Sequence, residues 1–296
     1  MHSEKNPVNE KSTPLFLILK IVFSVGLLGW VAYKIELWKI AETLKDVQWF
    51  YLFPALLAFG ASKLISSIRL NYFFRDIELR MSEWENIKLY WIGMLYNSVL
   101  PGGIGGDGYK TWYLQKYYSQ ISWKRIAKAI VIDRVVGLLV LCLLATVLGI
   151  VLFFHFLFLL LAGIFLAVIV YVILIYRYFP RFSKNILNTF MLSLLVQLFQ
   201  LLSALFIMYA LDVNVGFLSY FFLFLLSSIA TIIPFTIGGA GMREMVFLYC
   251  SSWFAIDMYS GISMVFIFYL LSMAGSLPGI FHLFTPGVSA SQTNEI

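Results

Sequence analysis

The sequence predicts an all-α, polytopic membrane protein with six full spans and two re-entrant helical hairpins arranged as an inverted repeat. Three observations carry that expectation. The chain of 296 residues is 61% hydrophobic and 12% charged, with 18% aromatics and a mean hydropathy of +0.88. Its apolar residues come in long runs, which fit membrane-spanning helices and not the alternating strands of a β-barrel. The second observation is a repeated glycine motif. Leu100-Pro-Gly-Gly-Ile-Gly-Gly-Asp-Gly-Tyr-Lys110 matches Ile233-Pro-Phe-Thr-Ile-Gly-Gly-Ala-Gly-Met-Arg243 at one fixed offset. Pro101, Ile104, Gly105, Gly106 and Gly108 fall opposite Pro234, Ile237, Gly238, Gly239 and Gly241, and Lys110 falls opposite Arg243. The third is an uneven spread of basic residues.

Taken in order, residues 1–13 form a polar tail and 14–33 the first span, a retained helix that includes Lys20 and lacks a cleavage site of small residues. The second span is 48–68. An apolar piece at 86–100 leads into the first motif, and a polar piece at 108–119 follows it. Neither crosses a bilayer cleanly, so the motif is read as a hairpin tip. Broken helices are tolerated in lipid only where protein or a water-filled cavity satisfies the backbone. The third span, 128–150, carries Asp133 and Arg134 in its first turns; His155 lies in the short turn to the fourth span, 156–176. The fifth span is 188–211. Pieces 217–233 and 241–255 flank the second motif, the sixth span is 261–284, and 285–296 form a tail. Residues 14–284 thus read as one membrane domain, with repeats at about 14–150 and 156–284.

Three crossings per half is an odd number, so the second half is inverted. With the N-terminus inside, fourteen Lys and Arg fall on the inner side, Arg69 and Lys110 among them. Only Lys34, Lys39, Lys45 and Arg243 fall outside. The positive-inside rule then gives a multi-pass protein of the cytoplasmic (inner) membrane with both termini inside. The net charge of +6 is assigned to that basic face, not to nucleic acid. Cys142 and Cys250 are expected as free thiols.

The first motif also resembles two nucleotide signatures. Gly103-x-Gly105-x-x-Gly108 has the spacing of a dinucleotide fingerprint, but no strand precedes it. Gly103 to Thr111 is a Walker A with one residue too many. What remains is a helix start. Its free N–H groups attract anions, and glycines let a ligand approach closely. Asp107 is expected to cap the second arm, with Lys110 one turn in, placed for a phosphate. Arg243 and Glu244 offer the same arrangement in the second motif. The competing account is that both motifs are helix breaks needed for close packing. Asp133-Arg134 is either a neutralised pair with Arg134 snorkelling, or an arrangement in which Asp133 holds Arg134 on a headgroup. Lys20 and Lys63 are expected to snorkel. Gln197, Gln200 and Ser203 form a stripe that bonds between helices or faces a cavity. Asn97 either satisfies the broken backbone or touches a ligand. No His/Cys/carboxylate cluster has metal-ligand spacing, and no nucleophile–base arrangement is evident, so neither cofactor nor catalysis is expected.

Asn97-x-x-x-Pro101-Gly-Gly-Ile-Gly-Gly-Asp107-x-x-Lys110, then Asp133-Arg134, then Gly238-Gly239-x-Gly241-x-x-Glu244 resembles the lysylphosphatidylglycerol synthase transmembrane-region family, also called flippase-like domain proteins. The resemblance covers roughly residues 14–284. It implies the lipid-translocating half of such proteins, since their synthase activity resides in a separate soluble domain and this sequence ends after its last span. It also implies headgroup-binding roles for Asn97, Pro101, Gly105, Gly106, Asp107, Arg134, Gly239 and Glu244. Lys110 stands where an Arg is common, and Ile237 where a second proline often stands. With Gly102, Gly103, Lys110, Asp133, Gly238, Gly241 and Arg243 added from the motifs themselves, these are the candidate lipid-headgroup residues. The expected function is a flippase for a phospholipid, an aminoacylated phospholipid or a polyprenyl-phosphate-linked lipid. The alternative is a non-transporting, lipid-binding subunit that supports a lipid- or envelope-modifying enzyme.

Overall fold

The computed structural model describes residues 29, 33, 37–99, 105–178, 180, 185–232 and 239–283. Every regular element among them is helical. In chain order they are α1 (Leu37–Lys45), α2 (Leu52–Asp76), α3 (Glu83–Val99), α4 (Gly105–Tyr117), α5 (Trp123–Leu152), α6 (Leu157–Tyr178), α7 (Ile186–Ala210), α8 (Phe217–Ala230), α9 (Met242–Cys250), α10 (Met258–Ser276) and α11 (Pro278–Leu283). Four stretches among the described residues are long and apolar enough to cross a membrane: Trp49–Asp76, Trp123–Leu152, Ile186–Ala210 and Met258–His282. The expected first span lies outside the described residues apart from 29 and 33. The expected fourth span forms helix α6. Cys142 and Cys250 are free thiols.

Two spans are longer than the sequence suggested. Helix α2 runs on to Asp76, which places Arg69 inside a helix and removes it from the inner loops. It continues because Leu70, Phe73 and Phe74 are buried, while the polar groups between them find protein partners. The Asn71 amide, for example, donates to the Met81 carbonyl at 3.3 Å. Helix α5 begins at Trp123, so Asp133 and Arg134 lie about three turns in.

Helices α2 and α7 form the most extensive helix pair. Small side chains make this possible: Ala55, Ser62, Ser66, Ser193, Ser203 and Ala204 are all buried. Helices in lipid gain little from hydrophobic burial against one another, so close backbone approach and interhelical hydrogen bonds hold them. Ser203 supplies one such bond, donating to the Ala55 carbonyl at 2.9 Å. The others cover their hydroxyls locally, as where Ser193 donates to the Thr189 carbonyl at 2.7 Å.

The two helices run antiparallel. The Gln48 N–H donates to the Ala210 carbonyl at 2.8 Å, which joins the start of α2 to the end of α7. Asn185 donates to Asp76 at 2.7 Å, which joins the opposite ends. One end of the molecule thus gathers residues near 48, 153, 210 and 254, where Phe153 packs on Phe254 and Phe222. The other gathers residues near 76, 83, 118 and 185. There the Tyr118 hydroxyl donates to the Arg80 carbonyl at 3.1 Å. Burial, reinforced by Glu85, pushes that phenol up, so it stays a donor.

The order long helix, two short helices, long helix occurs twice. Helix α2 begins at Leu52 and α7 at Ile186, 134 residues apart; α3 begins at Glu83 and α8 at Phe217, at the same spacing. The described residues form two buried apolar clusters. One is built on α3, α4 and the adjoining ends of α2 and α5. The other is built on α7 to α10 and the opposite ends of α2 and α5.

Candidate functional site

Helices α3 and α4 form an antiparallel hairpin around the first glycine motif. Its residues 101–104, which include Pro101, Gly102 and Gly103, lie outside the described residues. The hairpin closes where Asn97 Oδ1 accepts the Gly106 N–H at 2.8 Å. A helix start leaves its first N–H groups without partners, and Asn97 satisfies one of them. Below that bond the backbones touch: a Cβ at Gly106 would overlap the Gly93 carbonyl, and a Cβ at Gly93 would stand 2.5 Å from Lys110 Cε. Tyr96 stacks on Tyr109 with centroids 4.6 Å apart. Loss of the Asn97 acceptor should be visible in isolation. Asn97→Ala is expected to lower stability by about 1–2 kcal/mol in thermal denaturation in detergent, whereas Asn97→Asp, which keeps an acceptor oxygen, should retain most of it.

The charges on this hairpin pair differently from the sequence reading. Asp107 sits in the first turn of α4, not at its cap. Its carboxylate forms a short ion pair with Arg134 and lies 3.7 Å from Lys110 Nζ. Lys110 is buried, with its ammonium 4.3 Å from the centre of the Tyr90 ring. It clamps the hairpin and does not line the cavity described below. Asp133 pairs with Arg69, not with Arg134. Arg69 Nε and Nη2 donate to the two Asp133 oxygens at 2.7 and 3.1 Å, and Nη1 donates to Ser193 at 2.8 Å. Neighbouring residues on a helix point about 100° apart, so Asp133 faces α2 and α7 while Arg134 faces the hairpin. The sequence assigned Arg69 to a loop and missed it.

Helices α8 and α9 form a second antiparallel hairpin. Of its motif, 233–238 lie outside the described residues, Gly238 included. Gly239 and Gly241 have φ of 84° and 88°, a left-handed conformation that favours glycine. Glu244 is buried and accepts the Gly241 N–H at 2.8 Å; it caps α9 and forms no ion pair with Arg243. Arg243 donates to Ser228 at 2.9 Å. Its guanidinium lies 5.5 Å from the Phe224 ring centre and 5.2 Å from that of Phe268.

Both hairpins border one cavity of about 630 Å³. Asn97 and Ser98 reach it from the first, with Arg134 beside them; Thr231, Gly239 and Arg243 reach it from the second. Lys63 on α2 and Gln197 and Gln200 on α7 complete its polar wall. Lys63 therefore turns inward instead of snorkelling, and its ammonium lies 4.8 Å from the Phe59 ring centre. The polar stripe on α7 divides: Ser203 bonds between helices, while the two glutamines face the cavity. Among the described residues the wall carries three cations and no carboxylate. Such a space can accept an anionic group in an otherwise apolar surround.

Residues 17–279 match a family model described as the lysylphosphatidylglycerol synthase TM region. A UPF0104 membrane protein of Pyrococcus horikoshii is 25% identical over 131 residues, a match that covers 42% of this chain and 36% of that protein. The chain thus matches little more than a third of the length of that relative.

Proposed function

The chain belongs to the lysylphosphatidylglycerol synthase TM-region family, and from that premise we propose that it moves a membrane lipid between bilayer leaflets, acting as a transporter and not as an enzyme. The observation that carries this reading is the cationic cavity bordered by both glycine hairpins. A headgroup would pass through that cavity while its acyl chains remained in lipid.

The proposed architecture is six full spans with two re-entrant hairpins in an inverted repeat. The antiparallel α2–α7 pair supports it. So does the placement of the hairpins: the open end of one is tied to the loop at Arg80. The open end of the other is tied to Asp257, where the Tyr220 hydroxyl donates to the carbonyl at 3.1 Å. These ties lie at opposite ends of the molecule. The packing is reciprocal as well. Helix α5, which follows the first hairpin, packs on α8 of the second, and α11, which ends the second half, packs on α3 of the first. Paired helix breaks in matching positions of two halves mark the binding sites of many transporters.

Orientation follows from the charges. Arg75, Arg80, Lys88, Lys116, Lys124 and Arg125 cluster at one end, where Trp84, Trp112 and Trp123 are exposed. Exposed Trp marks a membrane interface and an excess of basic residues favours the cytoplasmic side, which supports the reading of a cytoplasmic-membrane protein with both termini on the cytoplasmic side.

The test is translocation of a headgroup-labelled phospholipid in proteoliposomes. The Lys63→Ala/Arg243→Ala double variant is expected to lose at least tenfold in rate, since charge-assisted bonds carry about 1.5–3 kcal/mol each. An unchanged rate would remove the cavity from the pathway. Binding of lipid without any movement by the wild-type protein would favour a lipid-holding subunit instead.

A further inference from the structure

We infer that the cavity selects a headgroup bearing phosphate and hydroxyl groups and no ammonium group. The inference rests on the lipid-moving reading above and narrows its substrate class. It departs from what the family description suggests, because a lysylated headgroup is cationic.

The first observation is the distribution of charge. Among the described residues, Lys63, Arg134 and Arg243 line the cavity and no Asp or Glu does. The carboxylates closest to the cavity's cations and hairpin tips already have partners. Asp107 is held by Arg134 and Lys110, Asp133 by Arg69, and Glu244 by the Gly241 N–H. Lys63 lies in the cavity wall with its ammonium 4.8 Å from the Phe59 ring centre. Arg243 has a neutral hydroxyl and two aromatic faces for company, and its neighbour Glu244 caps α9. A phosphate entering here meets Lys63 and Arg243, which form no ion pair with a carboxylate among the described residues, with Arg134 already held by Asp107. An ammonium entering here meets like charge, which is costly in a low-dielectric surround.

The second observation is an unpartnered acceptor. Gln197 is 7% exposed and lines the cavity, yet its Oε1 has no hydrogen-bond partner. Its Nε2 points at the Gly137 carbonyl at 3.5 Å. Turning the amide over would set two oxygens against each other, so the free atom is the acceptor. A buried amide oxygen without a donor is unfavourable, and a hydroxyl of the headgroup supplies one. An ammonium could also donate to this oxygen, but it would share the cavity with Lys63 and Arg243. Glycerol- or sugar-phosphate headgroups satisfy both observations at once.

The experiment is native mass spectrometry of the full chain titrated with four lipids: phosphatidylglycerol, its lysyl ester, phosphatidylmethanol and phosphatidylcholine. Phosphatidylglycerol is expected to bind at least tenfold more tightly than its lysyl ester, and several-fold more tightly than phosphatidylmethanol, which is anionic but lacks a hydroxyl. Gln197→Met should abolish the preference over phosphatidylmethanol. Lys63→Gln and Arg243→Gln should each narrow the preference over the lysyl ester; two separate variants guard against one failing to fold. Equal or tighter binding of the lysyl ester by the wild-type protein would overturn the inference. So would preferences unmoved by all three substitutions. Translocation of the same lipids, measured in parallel, separates the two readings. Movement and tight binding of the lysyl ester would sink the headgroup inference and leave transport standing. Selective phosphatidylglycerol binding with no lipid moved would do the reverse.

Discussion

Asp133→Leu is expected to cost about 3–5 kcal/mol of stability, because it leaves the Arg69 guanidinium buried without its counter-ion. The side chains are 7% and 11% exposed, and both Asp133 oxygens are engaged by Arg69 at 2.7 and 3.1 Å. Arg69→Met should cost a similar amount by stranding the carboxylate. The Arg69→Met/Asp133→Leu double variant should recover most of the loss, since a buried pair can be replaced by apolar residues of similar volume at little cost. Arg69→Lys should not rescue, because an ammonium lacks the planar fork that engages both oxygens and Ser193 together. The measurement is unfolding in detergent for the four variants. A double variant no better than the singles would show that the pair does more than neutralise itself. Singles within about 1 kcal/mol of wild type would show that water reaches the site, and the buried-pair account would fall.

That pair also marks where the sequence was legible and where it was not. Helical class, membrane residence and the positions of the short helices around each motif followed from hydropathy and glycine spacing, because apolar runs and helix breakers act locally. The boundaries of α3, α4, α8 and α9 fall within a few residues of the expected ones. Pairing was not legible. Asp133 and Arg134 are adjacent in sequence, and adjacency suggested an ion pair, but a helix sends neighbours to different faces. Their partners, Arg69 and Asp107, lie on other helices, where only tertiary packing places them. Arg69 was hidden further by its position at the apparent end of a span. Lys63 misled in the same way: a lone lysine in an apolar run looks the same whether its ammonium reaches the interface or a cavity. Lys110 had the spacing of a phosphate ligand, yet Tyr90, Gly93 and Asp107 enclose it.

Two glycines of the first motif, two residues apart, should respond oppositely to alanine. Gly106 packs on the Gly93 carbonyl so closely that a Cβ would overlap it, and Gly93 has Lys110 against its other side. The obstruction at Gly106 is helix backbone, which cannot turn aside as a flexible side chain can. Gly106→Ala is therefore expected to cost about 3 kcal/mol, at the upper end of ordinary overpacking. It should also break the Asn97 bond that closes the hairpin tip. A Cβ at Gly108 meets nothing within 4 Å. Gly108 lies inside α4, so Gly108→Ala should stabilise by about 0.5–1 kcal/mol through helix propensity and a less flexible unfolded chain. Lipid movement should follow the same division, lost in Gly106→Ala and retained in Gly108→Ala. Equal losses from both would mean that the glycine string works through backbone contact with a ligand along its whole length. The predicted contrast would mean that Gly106 serves the hairpin and the cavity's cations meet the lipid. Thermal unfolding and proteoliposome translocation of the two variants, measured side by side, decide between these.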